Sequence, residues 1–388
     1  MIRWIFPLLV FSLINAPVVW AAEVNAPTSA QFQAALRNAK PGDHILLGEG
    51  PYSGPFYWVG VKGTAEKPIR ISGPSAQKPA IMSNDKGYIL QMPNAAYIEM
   101  ENIHITHATG HGLMFDDGFK KDWSCHHITL RHLRIDDIGP KTTTCSIKLA
   151  GMSDFVITDC SFRNFGNSGC AIDAVVCKNG TVERCTFEHG ATGAVAVQFK
   201  GGSENMTVRN CVFDDPSPGA ISIGGSTGLA FFHPELYGFE ARRVTVENNV
   251  FIGCDAPICF ANTDGADVRF NTFYLPRMWA FRILQETDRP DFTPSRNGRI
   301  ENNIIVFNSK WYEGGINVGV HTAPQTFKFT GNAWYCVDNP AKSKPTLPTV
   351  ESDGIIGHDP MFTDPIVKDF SLRSGSPARG KGHSGAPQ

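Results

Sequence analysis

The chain has 388 residues, 42% of them hydrophobic, and a formal net charge of −2. That near-neutral balance excludes the broad basic surface of a nucleic-acid binder, so any acidic ligand must be met by a local patch. Such a length ordinarily divides into two or more domains, unless the chain grows by adding repeats.

Residues 1–22 read as a secretory signal peptide. Arg3 supplies the positive start, Trp4 to Val19 is apolar apart from Ser12 and Asn15, and small residues at Ala21 and Ala22 suit a signal peptidase. The apolar run is short for a membrane anchor and no basic stop-transfer flank follows it. The mature chain, 23–388, is therefore expected to be soluble, exported to the periplasm or medium, and monomeric. Residues 26–40 carry one helical pattern, with Thr28 or Ser29 as cap, Phe32, Ala35 and Leu36 on one face, and Pro41-Gly42 as the stop.

Strand patterns follow at His44 to Gly54 and Pro68 to Gly73, and from 97 to 336 they become regular. One phrase returns: FVITDCSF (Phe155 to Phe162), GTVERCTF, MTVRNCVF, VTVENNVF, ADVRFNTF, GRIENNII and FKFTGNAW (Phe327 to Trp334). Its sixth column reads Cys160, Cys185, Cys211, Asn249, Asn271, Asn303, Asn332, at spacings of 25, 26, 38, 22, 32 and 29 residues. A repeat of this length with β-type alternation is a solenoid signature. The stacked cysteines and asparagines belong inside it, because small thiols pack and buried amides find partners there. The fold class is thus all-β, one parallel β-helix (solenoid) domain with a capping helix at its N-terminal end. The Pro- and Gly-rich segment 361–388 closes it.

About six to ten residues after the ladder phrases, and at the matching place in the two coils before them, comes a second short strand: GLMF, SIKL, AIDA, AVAVQF, AISI, PICF, AFRI and GINV. Alternation turns every other side chain outward. The outward column is Met114, Lys148, Asp173, Ala196 or Gln198, Ser222, Cys259, Arg282 and Asn317, read as a groove floor, with His111 at its border. Two insertions, Ser226 to Ala241 and Thr287 to Asn297, both follow this strand and should rise beside the groove as walls. Ten cysteines leave one or two disulfides open outside the ladder, with no zinc spacing among them.

These phrases resemble the right-handed parallel β-helix superfamily of pectate lyases, polygalacturonases and their relatives. The N-terminal FQAALRNAKPGDHILLGEGPYSGPF, Phe32 to Phe56, is similar to the first coil of the chondroitinase-B and alginate-lyase group. The ending DPMFTDP…DFSLRSGSPARGKG is similar to the close of many exported carbohydrate-active β-helices. The resemblance implies a right-handed helix on a scaffold that hosts lyases, hydrolases and proteins that only bind.

The chemistry favours a polysaccharide lyase acting on a uronate-containing glycan. β-Elimination needs a base for the proton α to a carboxylate and a cation to neutralise that carboxylate. Lys200 or His233 is the expected base, Arg282 the carboxylate partner, and Lys148 a further cation. Gln198, Ser222, Tyr237 and Asn317 are expected to bind substrate, and Gly201-Gly202 would let a glycan chain approach. The alternatives are a non-catalytic carbohydrate-binding or surface β-helix and a glycoside hydrolase, which needs paired carboxylates, for which Asp173, Glu286 and Asp264 or Asp267 are candidates. NTDG at 262–265 and GHG at Gly110 to Gly112 resemble short polygalacturonase motifs, but in reversed order, and read as turns. Calcium would need several converging oxygens. Asp173, Glu240 and Asp255 are scattered in sequence, which leaves calcium open.

Overall fold

The computed structural model describes residues 22–383 apart from 140–142, 217, 234 and 311–314, so the signal peptide expected at 1–22 lies, but for Ala22, outside the described residues. The strands form three long parallel sheets of 13, 12 and 10 strands, in which neighbours come from successive coils. One coil runs from the first sheet (Met152–Thr158) to the second (Ser161–Arg163) and the third (Cys170–Val175), then returns to the first (Lys178–Glu183). This is a right-handed parallel β-helix. No helix among the described residues is long and apolar enough to cross a membrane.

The repeated phrase makes the corner between the first and second sheets. Its residue before the ladder position takes positive φ: Asp159 (54°), Asn210 (55°), Asn248 (55°), Asn302 (54°) and Gly331 (67°). Asn, Asp and Gly tolerate that left-handed geometry at least cost, which accounts for five of the seven residues of this column, while Arg184 (49°) and Phe270 (53°) adopt it at greater cost. The ladder residues then turn inward. Asn249 Nδ2 donates to Asn271 Oδ1 (3.0 Å), Asn271 to Asn303 (3.0 Å) and Asn303 to Asn332 (2.9 Å). Asn332 passes the chain of bonds to Glu351, which also accepts from Trp334 Nε1 at 2.9 Å. Two positions on, Phe162, Phe187, Phe213, Phe251 and Phe273 stack with centroids 4.7–4.9 Å apart, the spacing of the strands themselves.

Ends are handled differently. The helix Ser29–Asn38, capped by Thr28, is shorter than the 26–40 pattern because Ala22–Ala26 is already a strand paired with Asp43–Leu47. Its Phe32 fills the first coil against Tyr52 and Phe56. At the other end, the antiparallel pair Phe362–Asp364 and Asp369–Leu372 folds back over the outer face of the second sheet. There Phe362, Phe370 and Ala378 pack on Val250, Ile304, Val306 and Ala333. None of the ten cysteines is disulfide-bonded; nine are buried and Cys259 is half-buried.

Candidate active site

The third sheet places one side chain per rung in an unbroken outward column. Its register joins Gln91 to Met114, then Lys148, Asp173, Gln198, Ser222, Cys259, Arg282 and Asn317. Gln198, not Ala196, holds the rung between Asp173 and Ser222, and Ala196 is fully buried in the interior. A second outward column two residues along holds Asp116, Ala150, Val175 and Lys200.

Charge concentrates where the two columns meet. Lys148 Nζ is ion-paired with Asp173 Oδ2, and Lys200 Nζ lies 3.8 Å from Asp173 Oδ1. Lys200 also donates to Gln198 Oε1 at 3.0 Å. Asp173 is only 5% exposed, while the lysine side chains keep about a fifth of their surface open. Burial alone would lower the Lys148 ammonium, but the Asp173 carboxylate beside it overrides burial and holds it above its ordinary value. Two lysines thus share one carboxylate on the groove floor.

Cys145 and Cys170 flank this cluster. Cys145 Sγ lies 4.0 Å from Asp173 Oδ2, and Cys170 Sγ lies 3.6 Å from Gln198 Oε1. His111 accepts the Cys145 backbone N–H at Nδ1, 3.0 Å away. Sequence reading leaves these two thiols among the cysteines open to a disulfide without placing them at the groove, yet each precedes its column residue by three positions, CSIK and CAID, and that shared offset is visible in the residues.

The two insertions do stand together. Thr293 N donates to Gly238 O at 2.7 Å, and Phe232 meets Phe292 edge-on at 5.6 Å. The first insertion is pinned by Glu240, a fully buried carboxylate that accepts from Thr227 N, Thr227 Oγ1 and Gly201 N at 2.6–2.8 Å. Burial raises the Glu240 carboxyl above its usual range despite these bonds. Gly202 is tight against the same wall, since a Cβ there would sit 2.3 Å from the Tyr237 ring. The glycine pair therefore admits the wall's own tyrosine rather than a glycan.

The remaining expected residues are dispersed. His233 Nε2 lies 3.1 Å from Asp117 Oδ2 and its Nδ1 3.1 Å from Phe231 O, so neither ring nitrogen faces the groove freely. Tyr237 donates to His233 O at 3.1 Å, behind the wall. Arg282 stacks on Trp279, 5.0 Å from ring centre, and donates to Asn317 Oδ1 at 3.2 Å. It stands four rungs from Asp173, about 19 Å at the usual strand spacing. Glu286 is exposed immediately before the second insertion. Asp264 and Asp267 pair with Arg296 and Arg299 on the first sheet, away from the groove. A cleft of about 310 Å³, lined by Met114, Asp117, Ala150, Val175, Phe231 and His233, continues the floor beyond Lys148. Larger concavities of about 490, 450 and 450 Å³ lie against the C-terminal segment, on the first sheet and at the 344–356 loop, off the column.

The carboxylates weighed for calcium are not brought together. Asp173 faces two lysines, Glu240 binds Thr227 and Gly201, and Asp255 pairs with Arg277. Among the described residues, no three His, Cys, Asp or Glu side chains converge as a metal site.

Residues 76–236 match the family model described as a right handed beta helix region. No curated protein sequence matches the chain. Among solved structures, an alginate lyase from Paenibacillus sp. str. FPU-7 superposes with TM-score 0.55 at 20% identity, covering 77% of this chain and 98% of that one. A rhamnogalacturonan lyase gives TM-score 0.56 at 13% identity, covering 89% and 90%. A GH136 lacto-N-biosidase from Eubacterium ramulus gives 0.53 at 13%, covering 84% and 64%. At these identities the likeness is one of fold.

Proposed function

We propose that this β-helix is an exported polysaccharide lyase that cleaves a uronate-containing glycan by β-elimination in the groove over the third sheet. One observation carries the reading: Lys148 and Lys200 converge on the single carboxylate of Asp173, which brings a cation and a candidate base together at one point of the floor where a uronate would lie. Asp173 is the one carboxylate on its column among the described residues. Two lyases among the structures that share the fold add support of a weaker kind, since this scaffold serves many activities.

The two lysines take different roles because their surroundings differ. Lys148, held protonated by Asp173, neutralises the substrate carboxylate and stabilises the charge that develops as the α-proton leaves. Lys200, 3.8 Å from Asp173 and steadied by Gln198, is the base in preference to His233, whose ring is engaged on both sides. Arg282 and Asn317 bind a more distant sugar of the same chain. Residues 1–22 direct export.

A panel of acidic and neutral glycans, read for ultraviolet absorbance and for reducing ends, tests this. Elimination gives absorbance with each new end, lost in Lys200→Ala. New ends without absorbance would instead establish hydrolysis, and binding without new ends a non-catalytic module. Undiminished cleavage by both Lys148→Ala and Lys200→Ala would overturn the site.

A further inference from the structure

Cys145 and Cys170 occupy the same place on consecutive coils. Ser146 N donates to Cys170 O at 3.0 Å, and the following residues Ile147 and Ile172 are register partners. Adjacent parallel strands run about 4.8 Å apart, within the Cα separation that a disulfide spans. Both side chains face the ionic cluster and not the core, as their contacts with Asp173 and Gln198 show. We propose that Cys145 and Cys170 are a reactive thiol pair that a low-molecular-weight disulfide converts to a cross-rung disulfide beside Lys148 and Asp173.

Neighbouring groups divide the labour between the two sulfurs. The Cys170 thiol first and His111 second, against the effect of burial, bring Cys145 down to about 6, whereas Cys170 is pushed up. Cys145 is therefore the attacking thiolate. It displaces one thiolate from oxidised glutathione and becomes a mixed disulfide. Cys170 then loses its proton to solvent and attacks Cys145 Sγ, releasing the second glutathione. Two protein thiols are oxidised and one glutathione disulfide is reduced to two thiols. Cys160, Cys185 and Cys211 also stack, but inside the solenoid, where each thiol points at backbone carbonyls such as Leu130 O, Ile157 O and Val182 O. They have no such base. Linkage would replace the Cys145 thiolate with neutral sulfur and leave Asp173 to face the two lysines without it.

Incubating the native protein with oxidised glutathione, then alkylating and mapping peptides without reduction, tests the pair whatever the activity proves to be. The expected result is loss of two of the ten thiols and one linkage, Cys145 to Cys170. Cys170→Ser should accumulate glutathione on Cys145, and Cys145→Ser should leave Cys170 unmodified. All ten thiols remaining alkylatable, or a linkage among other cysteines only, would overturn the proposal in the wild-type chain alone.

Discussion

Lys148 and Asp173 are register partners on adjacent rungs of the third sheet, and their side chains form a largely buried ion pair on the groove floor. Breaking such a pair from one side strands the other charge where water reaches poorly. Lys148→Met should therefore destabilise the fold by roughly 3 kcal/mol, and the double variant Lys148→Met/Asp173→Leu should recover part of that loss. Thermal melts of the three proteins check it.

The same pair gives an alkaline signature. Lys148 sits above its ordinary 10.5 in the folded state, so its contribution is fully present below pH 10.5 and lost as pH rises through the folded value above it. Wild type should lose more melting temperature than Lys148→Met across that alkaline window. Parallel curves for the two proteins would contradict the pairing.

Glu240 should hold the first wall. Glu240→Ala removes three hydrogen bonds and orphans Thr227 and Gly201 in the interior, at a cost of about 2–3 kcal/mol. Hydrogen exchange should rise over 226–240 and over 285–295, because the two insertions share the Gly238–Thr293 bond and the Phe232–Phe292 contact. Faster exchange confined to the first insertion would show that the walls act separately.

The amide ladder should be a stability element with no part in catalysis. Asn303→Ala leaves the Asn271 N–H and Nδ2 without the Oδ1 they now bond at 2.9 and 3.0 Å. A loss of about 2–4 kcal/mol is expected, with kcat unchanged at temperatures where the variant stays folded. Denaturant unfolding and steady-state kinetics separate the two.

Arg282 stands too far along the column to share a sugar with Lys148. Arg282→Ala should raise KM about tenfold on long acidic chains, the worth of one charged hydrogen bond, and have little effect on the shortest cleaved substrate. An equal loss of kcat on both would move Arg282 into the reacting centre.

Much of this was legible in order of residues because a solenoid is nearly one-dimensional: each coil meets only its neighbours, so a repeat in sequence is a repeat in space. The period put Cys160 to Asn332 inside and listed the outward column from Met114 to Asn317 rung by rung, with only the Ala196 or Gln198 choice left open. What alternation cannot carry is contact between columns and between loops. That Lys200, two residues off the column, turns onto Asp173 depends on strand twist and side-chain reach. That His233 meets Asp117 and Tyr237 retreats behind Gly202 depends on the path of an aperiodic insertion. The repeat alone determined the scaffold and its exposed face, since burial there follows a period. The ionic cluster and its flanking thiols were decided only in three dimensions, by pairings across rungs that no local pattern encodes.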